Sequence, residues 1–156
     1  MRRPTSEIAL GRSRILTEGP EIAGGFIALG GSELKLARKA DTLALWKTVP
    51  ANELRALMER MANGANLFSP VADDEYYLSK LGLNGQFRGR GLGSTLIERY
   101  LKEGRERGYR RYSLEVRSSN EPAIRLYKSA GFRIDSRLQS RDGRFQYFAM
   151  RLETDQ

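Results

Sequence analysis

The sequence predicts an α/β fold: a mixed, mostly antiparallel central sheet flanked by helices. Two observations carry that prediction. Apolar or alternating runs recur at residues 22–29, 76–83, 112–116 and 145–152, the signature of strands with at least one buried face. Between them lie stretches at 41–63, 92–107 and 120–130 whose apolar residues recur at helical spacing, with Gly, Pro or Asn at the junctions. At 156 residues, with no repeat, low-complexity tract or linker, residues 1–156 are expected to form a single domain with its own core.

Taken in order, residues 1–19 show no clear periodicity and end at Gly19-Pro20. Residues 22–29 read as a strand closed by Gly30-Gly31, and Glu33-Leu34-Lys35-Leu36-Ala37-Arg38 alternates, which predicts the returning strand of a hairpin. Leu43, Leu45 and Trp46 begin a helical region that Pro50 restarts, with Leu54, Leu57, Met58 and Met61 on one face and Asn63-Gly64 as a stop. After the strand at 76–83, Leu92, Leu96, Ile97, Tyr100 and Leu101 form one helical stripe, with Gly108 placed as a C-cap. Glu98/Lys102 and Glu103/Arg107 are spaced to pair along that helix. Tyr112, Leu114 and Val116 alternate with Ser113, Glu115 and Arg117 as a strand would. Asn120 as N-cap, Pro122 in the first turn and Gly131 as terminator frame a short helix. Two strands, joined through the Asp142-Gly143 turn signal, close the chain.

Composition excludes several chemistries. There is no cysteine and no histidine, so thiolate nucleophiles, imidazole acid–base catalysis and His/Cys metal sites are absent. No Asp/Glu cluster has ligand spacing, and no metal cofactor is expected. Proton transfer must use carboxylates, Tyr, Lys or water. No apolar run approaches the roughly 18 residues of a membrane span, and the start resembles no secretory leader, so the expected compartment is the cytoplasm. A net charge of +8 favours an anionic ligand, and residues 86–111 hold seven Arg and one Lys against three Glu. Aromatic residues do not interleave with these basic ones as a base-stacking platform would, which argues against nucleic acid.

Gln86-Phe87-Arg88-Gly89-Arg90-Gly91-Leu92-Gly93 stands between a predicted strand and a predicted helix. Glycines let backbone approach an anion, the first amides of a helix lack partners of their own, and two arginines add charge. Such a loop suits a phosphate group. It equally suits a plain glycine-rich connection until its surroundings are weighed.

The surroundings resemble a known family. The run from Glu115 through Asn120 and Tyr127 to Gly131-Phe132 looks like the signature of the GNAT superfamily of N-acetyltransferases, and Gln86-Phe87-Arg88-Gly89-Arg90-Gly91 resembles that superfamily's Q/R-x-x-G-x-G/A pyrophosphate loop. Leu114-Glu115-Val116-Arg117 followed by Ser119-Asn120 is similar to ribosomal-protein N-terminal alanine acetyltransferases. The resemblance implies acetyl-CoA as co-substrate. Backbone groups of Leu81, Gly82 and Leu83 would bind its pantetheine arm, and amides of Arg88, Gly89, Arg90, Gly91, Leu92, Gly93 and Ser94, flanked by Gln86, would cradle its pyrophosphate. It implies that Asn120 contacts the pantetheine, a role compatible with N-capping. It also implies that Tyr127 contacts the cofactor and protonates the departing thiolate and that Glu115 takes a proton from the acceptor amine. A phenol near pKa 10 facing a thiol near 8.5 is mismatched by about 2 kcal/mol. Each residue keeps a bland alternative: Tyr127 a core aromatic, Glu115 a solvated strand residue paired with Arg117 or a neighbouring strand.

The pattern also departs from the family. Members begin with a strand and two helices that wall the acceptor site, and about twenty residues before Ile22 are too few for that unit. A shortened form, the helices at 41–63 or a partner subunit would have to fill the gap. The peptide-acetylating group carries a Tyr-Tyr pair soon after Gly-Phe, where this chain has Arg133-Ile134-Asp135-Ser136-Arg137-Leu138. The readings carried forward are an acetyl-CoA-dependent N-acetyltransferase acting on an amine acceptor, a non-catalytic acyl-CoA-binding module, and a nucleic-acid-binding domain. A homodimer is compatible with the sequence and not specified by it.

Overall fold

The computed structural model describes residues 6–154. Six strands form one sheet in the order β1-β2-β3-β4-β6-β5, comprising β1 (Ser13–Glu18), β2 (Glu21–Gly30), β3 (Glu75–Leu83), β4 (Arg111–Arg117), β5 (Arg133–Gln139) and β6 (Gln146–Glu153). Every neighbouring pair is antiparallel except β3 and β4. Four helices complete the fold, α1 (Gly31–Thr48), α2 (Leu54–Gly64), α3 (Leu92–Glu106) and α4 (Glu121–Ser129). The mixed, mostly antiparallel sheet flanked by helices is as the apolar periodicity predicts.

Two elements differ from the sequence reading. β1 lies within the segment that showed no periodicity, because an edge strand with Leu16 as its single buried residue has no alternation to display. The expected returning strand at residues 33–38 is instead the first turns of α1. Leu34 and Ala37 are the buried pair, at helical spacing, whereas Leu36 is 71% exposed and made the alternation misleading. The Glu33 carboxylate accepts from the Gly30 amide at 3.1 Å, satisfying one orphan donor at the helix start. α1 and α2 therefore follow the first strand pair rather than precede it.

The sheet is packed on both faces. On one, Leu96, Ile97 and Tyr100 of α3 and Ile124 and Tyr127 of α4 bury against Phe26, Leu78, Leu114, Val116 and Met150. On the other, Leu34 and Ala37 of α1 bury against Leu29, Tyr77 and Val71. The larger core is rich in tyrosine: Tyr76 and Tyr100 stack at 5.3 Å, and the Tyr100 hydroxyl donates to the Tyr76 carbonyl. Buried hydroxyls need such partners. The helical pairs expected along α3 give way to tertiary ones. Glu103 takes both Arg14 nitrogens at 2.6 and 2.8 Å, and Arg107 bonds Glu33 at 2.8 Å. Among the described residues no helix is long and apolar enough to cross a membrane, and no three acidic residues cluster as metal ligands.

Close packing of α1 against the chain entering β3 makes a prediction. A Cβ at Gly31 would lie 1.8 Å from the Ala72 carbonyl oxygen, a backbone atom with nowhere to go. Gly31→Ala should lower stability by about 1–3 kcal/mol, read as a lower urea midpoint. Gly85→Ala, where nothing lies within 4 Å, should stay within about 0.5 kcal/mol of the parent.

Candidate active site

The site begins with a parting of strands. β3 and β4 pair only from Glu75↔Arg111 to Leu78↔Leu114, although β3 runs on to Leu83 and β4 to Arg117. At that point β3 carries an extra residue against β2, since Ile27 pairs with Lys80 and Ala28 with Leu78, leaving Ser79 as a bulge. A bulge bends its strand and sharpens its twist. β3 thus follows β2, through Phe26↔Leu81, Gly25↔Gly82 and Gly24↔Leu83, and leaves β4. The other backbone edge of Leu81 to Leu83 has no partner strand among the described residues, and buried or not, such an edge is a template for an extended ligand.

The glycine loop lies where β3 ends. Gly89 and Gly91 both adopt φ +77, the left-handed region open to glycine, with nothing within 4 Å of where a side chain would stand. Gly91 is the residue from which α3 starts. The amides of Gly89, Arg90, Gly91, Leu92, Gly93 and Ser94 make no hydrogen bond among the described residues, while that of Arg88 donates to the Gly85 carbonyl at 3.2 Å. The loop is braced from the side. Gln86 donates to Glu21 at 2.7 Å, and Arg90 bonds Glu18 at 3.0 Å while its guanidinium covers the Phe87 ring. Arg88 stays exposed. A row of free amides, a helix N-terminus and an arginine form a cradle that fits a pyrophosphate.

Tyr127 and Glu115 stand on opposite faces of the sheet. Tyr127 belongs to the core beneath α4 and meets Phe132 edge-on at 6.1 Å. Burial pushes its phenol up to about 12. Glu115 faces the α1 side, where its Oε1 accepts from the Ser69 amide at 3.0 Å and the Ser69 hydroxyl at 2.6 Å, and its Oε2 from the Tyr77 hydroxyl at 2.6 Å. Burial raises the Tyr77 phenol well above its ordinary range, and the Glu115 charge and hydrogen bond add to that. All three donors to Glu115 are neutral, and no cation pairs with it among the described residues. Asn120 caps α4, its Oδ1 accepting from the Ala123 amide at 3.3 Å.

The wall over Glu115 comes from the chain between α2 and β3. Ser69 touches the carboxylate directly, and Arg38 of α1 lies 5.1 Å over both the Phe68 and Tyr77 rings while bonding Glu7 at 3.2 Å. Glu7 also accepts from the bulged Ser79 at 2.6 Å. At the end of α2, Asn63 takes the amides of Arg141 and Asp142 at 3.1 and 3.0 Å, tying α2 to the β5–β6 turn. Sequence reasoning missed Ser69, Tyr77, Arg38 and Glu7. Tyr77 carried one signal, its alternation away from Tyr76 in β3; Ser69 and Glu7, from irregular segments, carried none.

Known proteins share the fold and part of the sequence. The family model described as acetyltransferase (GNAT) family matches residues 54–132. Over 74 residues the chain is 42% identical to the ribosomal protein bS18-alanine N-acetyltransferase of Salmonella typhimurium, covering 47% of this chain and 49% of that protein. It is 39% identical over 66 residues to the mycothiol acetyltransferase of Corynebacterium glutamicum, covering 42% of this chain and 22% of that one. The fold superimposes on an N-acetyltransferase from Staphylococcus aureus Mu50 with a TM-score of 0.67 at 23% identity, covering 95% of this chain and 73% of that chain. The chain belongs to the GNAT acetyltransferase family. It spans about half the length of the ribosomal-protein relative it matches.

The buried phenol makes a pH prediction. Tyr127 ionises near 10 unfolded and about 12 folded, so both states hold the proton below pH 10 and its contribution to stability is then constant. As pH rises from 10 to 12 the unfolded state alone loses the proton, and stability falls by at most roughly 2–3 kcal/mol from this group. Urea unfolding between pH 8 and 11.5 should therefore show a shallower alkaline decline in Tyr127→Phe than in the parent.

Proposed function

We propose that this domain transfers acetyl from acetyl-CoA to a primary amine, at a peptide or protein N-terminus or on a small molecule, by direct attack of the amine. One observation carries the reading. β3 parts from β4 after Leu78, the glycine cradle follows the free end of β3, and a buried phenol and a carboxylate without a cation among the described residues lie on opposite faces of the sheet. The cradle amides would hold the pyrophosphate, the open edge of Leu81 to Leu83 the pantetheine, and the side-chain nitrogen Nδ2 of Asn120, which makes no hydrogen bond among the described residues, its outer end. Acetyl-CoA supplies the activated thioester.

The residues of the chain do the rest. Glu115 attracts the acceptor's ammonium and accepts a proton from it, which leaves the amine neutral for attack. Ser69 and Tyr77 already occupy both carboxylate oxygens, so the amine must compete with neutral donors rather than displace a bound cation. An α-amine near pKa 8 needs about 1 unit of help at pH 7 and a lysine amine more than about 3, which favours the α-amine. Tyr127 remains protonated throughout the working range, so its phenol hydrogen stabilises the departing sulfur as the C–S bond breaks. With no histidine and no cysteine in the chain, the route is a single transfer without a thiol acyl-enzyme. The domain would work in the cytoplasm, where acetyl-CoA is available.

Calorimetric titration with acetyl-CoA, followed by thiol release with a panel of amines, tests the proposal. Saturable binding with release only when an amine is present is expected. Binding without release for any amine would favour a non-catalytic acyl-CoA module, and no binding by folded protein would end both readings. Glu115→Gln and Tyr127→Phe should each lower kcat by about 10²–10⁴-fold while acetyl-CoA affinity stays near that of the parent. For an α-amine acceptor, kcat/KM should climb with pH and level off near about 8 as the amine becomes neutral.

A further inference from the structure

The rim beside Glu115 carries positive charge that the protein leaves unbalanced. Arg117 is two residues beyond Glu115 on β4, on the same face and roughly 6–7 Å further along the strand. Its guanidinium lies 5.6 Å over the ring of Phe145, which is 40% exposed. Neither Arg117 nor Arg141 has a carboxylate partner among the described residues, and the only acid of that turn, Asp142, is taken by Ser140, the Arg144 amide and the Arg144 side chain. The contrast on the same side of the sheet is clear, for Arg38 is matched by Glu7 and Arg151 by Glu75 and Asp135.

The turn is held in place. Arg117 pairs with Tyr147 in the β4–β6 ladder, Ser118 donates to Gln146, and Asn63 fixes the Arg141 and Asp142 amides. An extended chain advances about 3.3 Å per residue. A polypeptide with its first amine at Glu115 and its chain running toward the β5–β6 turn brings its second or third side chain to Arg117 and its fourth or so to Arg141. Phe145 offers an apolar floor between them.

We propose that the acceptor is a polypeptide whose N-terminal amine is followed, within its first four residues, by acidic side chains, and that Arg117, assisted by Arg141, reads that charge. The inference rests on the amine-acceptor reading of Glu115. Arginine suits the task because its fork of donors matches a carboxylate, and stacking on Phe145 pre-sets its orientation. Lysine or arginine at the same acceptor positions meets like charge.

The test uses the full chain with saturating acetyl-CoA and seven-residue peptides that begin with Ala and differ only at positions 2–4, as Asp/Glu, Asn/Gln or Lys. Thiol release should rank acidic above neutral above basic, with on the order of 10-fold or more in kcat/KM between the extremes. The difference should lie mainly in KM and shrink as salt rises. Arg117→Glu should reverse the ranking, and Arg141→Glu, at the exposed turn, should compress it if the β4 variant fails to fold. Equal rates for the three peptides, or a preference for Lys that salt weakens, would overturn the inference while leaving amine transfer standing. Thiol release from no peptide and no simple amine would instead remove the acetyl-transfer reading, and this one with it.

Discussion

Everything in this site depends on β3 leaving β4 after four paired residues. Parallel pairing would otherwise continue to Leu83 and Arg117 and close the sheet. The extra residue Ser79 turns β3 toward β2, and the antiparallel ladder with β2 holds it there. The closed half is firm because Tyr76, Leu78, Tyr112 and Leu114 are all buried beneath α3. The open half leaves one backbone edge of Leu81 to Leu83 without a partner strand among the described residues. The cradle at Gly89 to Ser94 stands beyond the free end of β3 because α3 follows β3 in the chain.

The two titratable residues are prepared in opposite ways. Tyr127 is buried among apolar neighbours, which penalises its anion and keeps the phenol protonated. Glu115 is surrounded by polar donors, which satisfy the anion without neutralising it. A cation such as Arg38 could have fulfilled the second task, yet Arg38 is turned to Glu7 and to the faces of Phe68 and Tyr77. The carboxylate thus has no salt bridge among the described residues.

Similarity to other proteins is distributed in the same way as the chemistry. The family model covers α3, β4 and α4, which hold the cradle, Glu115, Asn120 and Tyr127, and ends at Phe132. The hairpin that follows, and α1 before it, lie outside that match. Ser69 and Tyr77, which hold Glu115, lie inside it. α1 and α2 follow the first strand pair, and the loop after them, within the matched residues, brings Ser69 to Glu115.

Fold class, the limits of most elements, and the loop from Gln86 to Gly93 were legible in the sequence because each is local. Strand alternation, helical spacing, caps at Asn120 and Gly131, and glycines at positive φ all act within a few residues. α1 was misread at residues 33–38 because Leu34 and Leu36 alternate, and only packing on Leu29 and Tyr77 decides that Leu34 and Ala37 are the buried pair. The sequence by itself determined that a glycine-rich cradle opens a helix, that Glu115 and Tyr127 follow at family spacing, and that histidine and cysteine chemistry are absent. Tertiary structure alone decided where β3 parts from β4 and that Glu115 is held by Ser69 and Tyr77, 46 and 38 residues away. It also decided that Arg117 is left with Phe145 rather than a carboxylate. Hydrogen bonds and charge balance between distant segments leave no periodic trace in the chain, because they exist only once the sheet has brought those segments together.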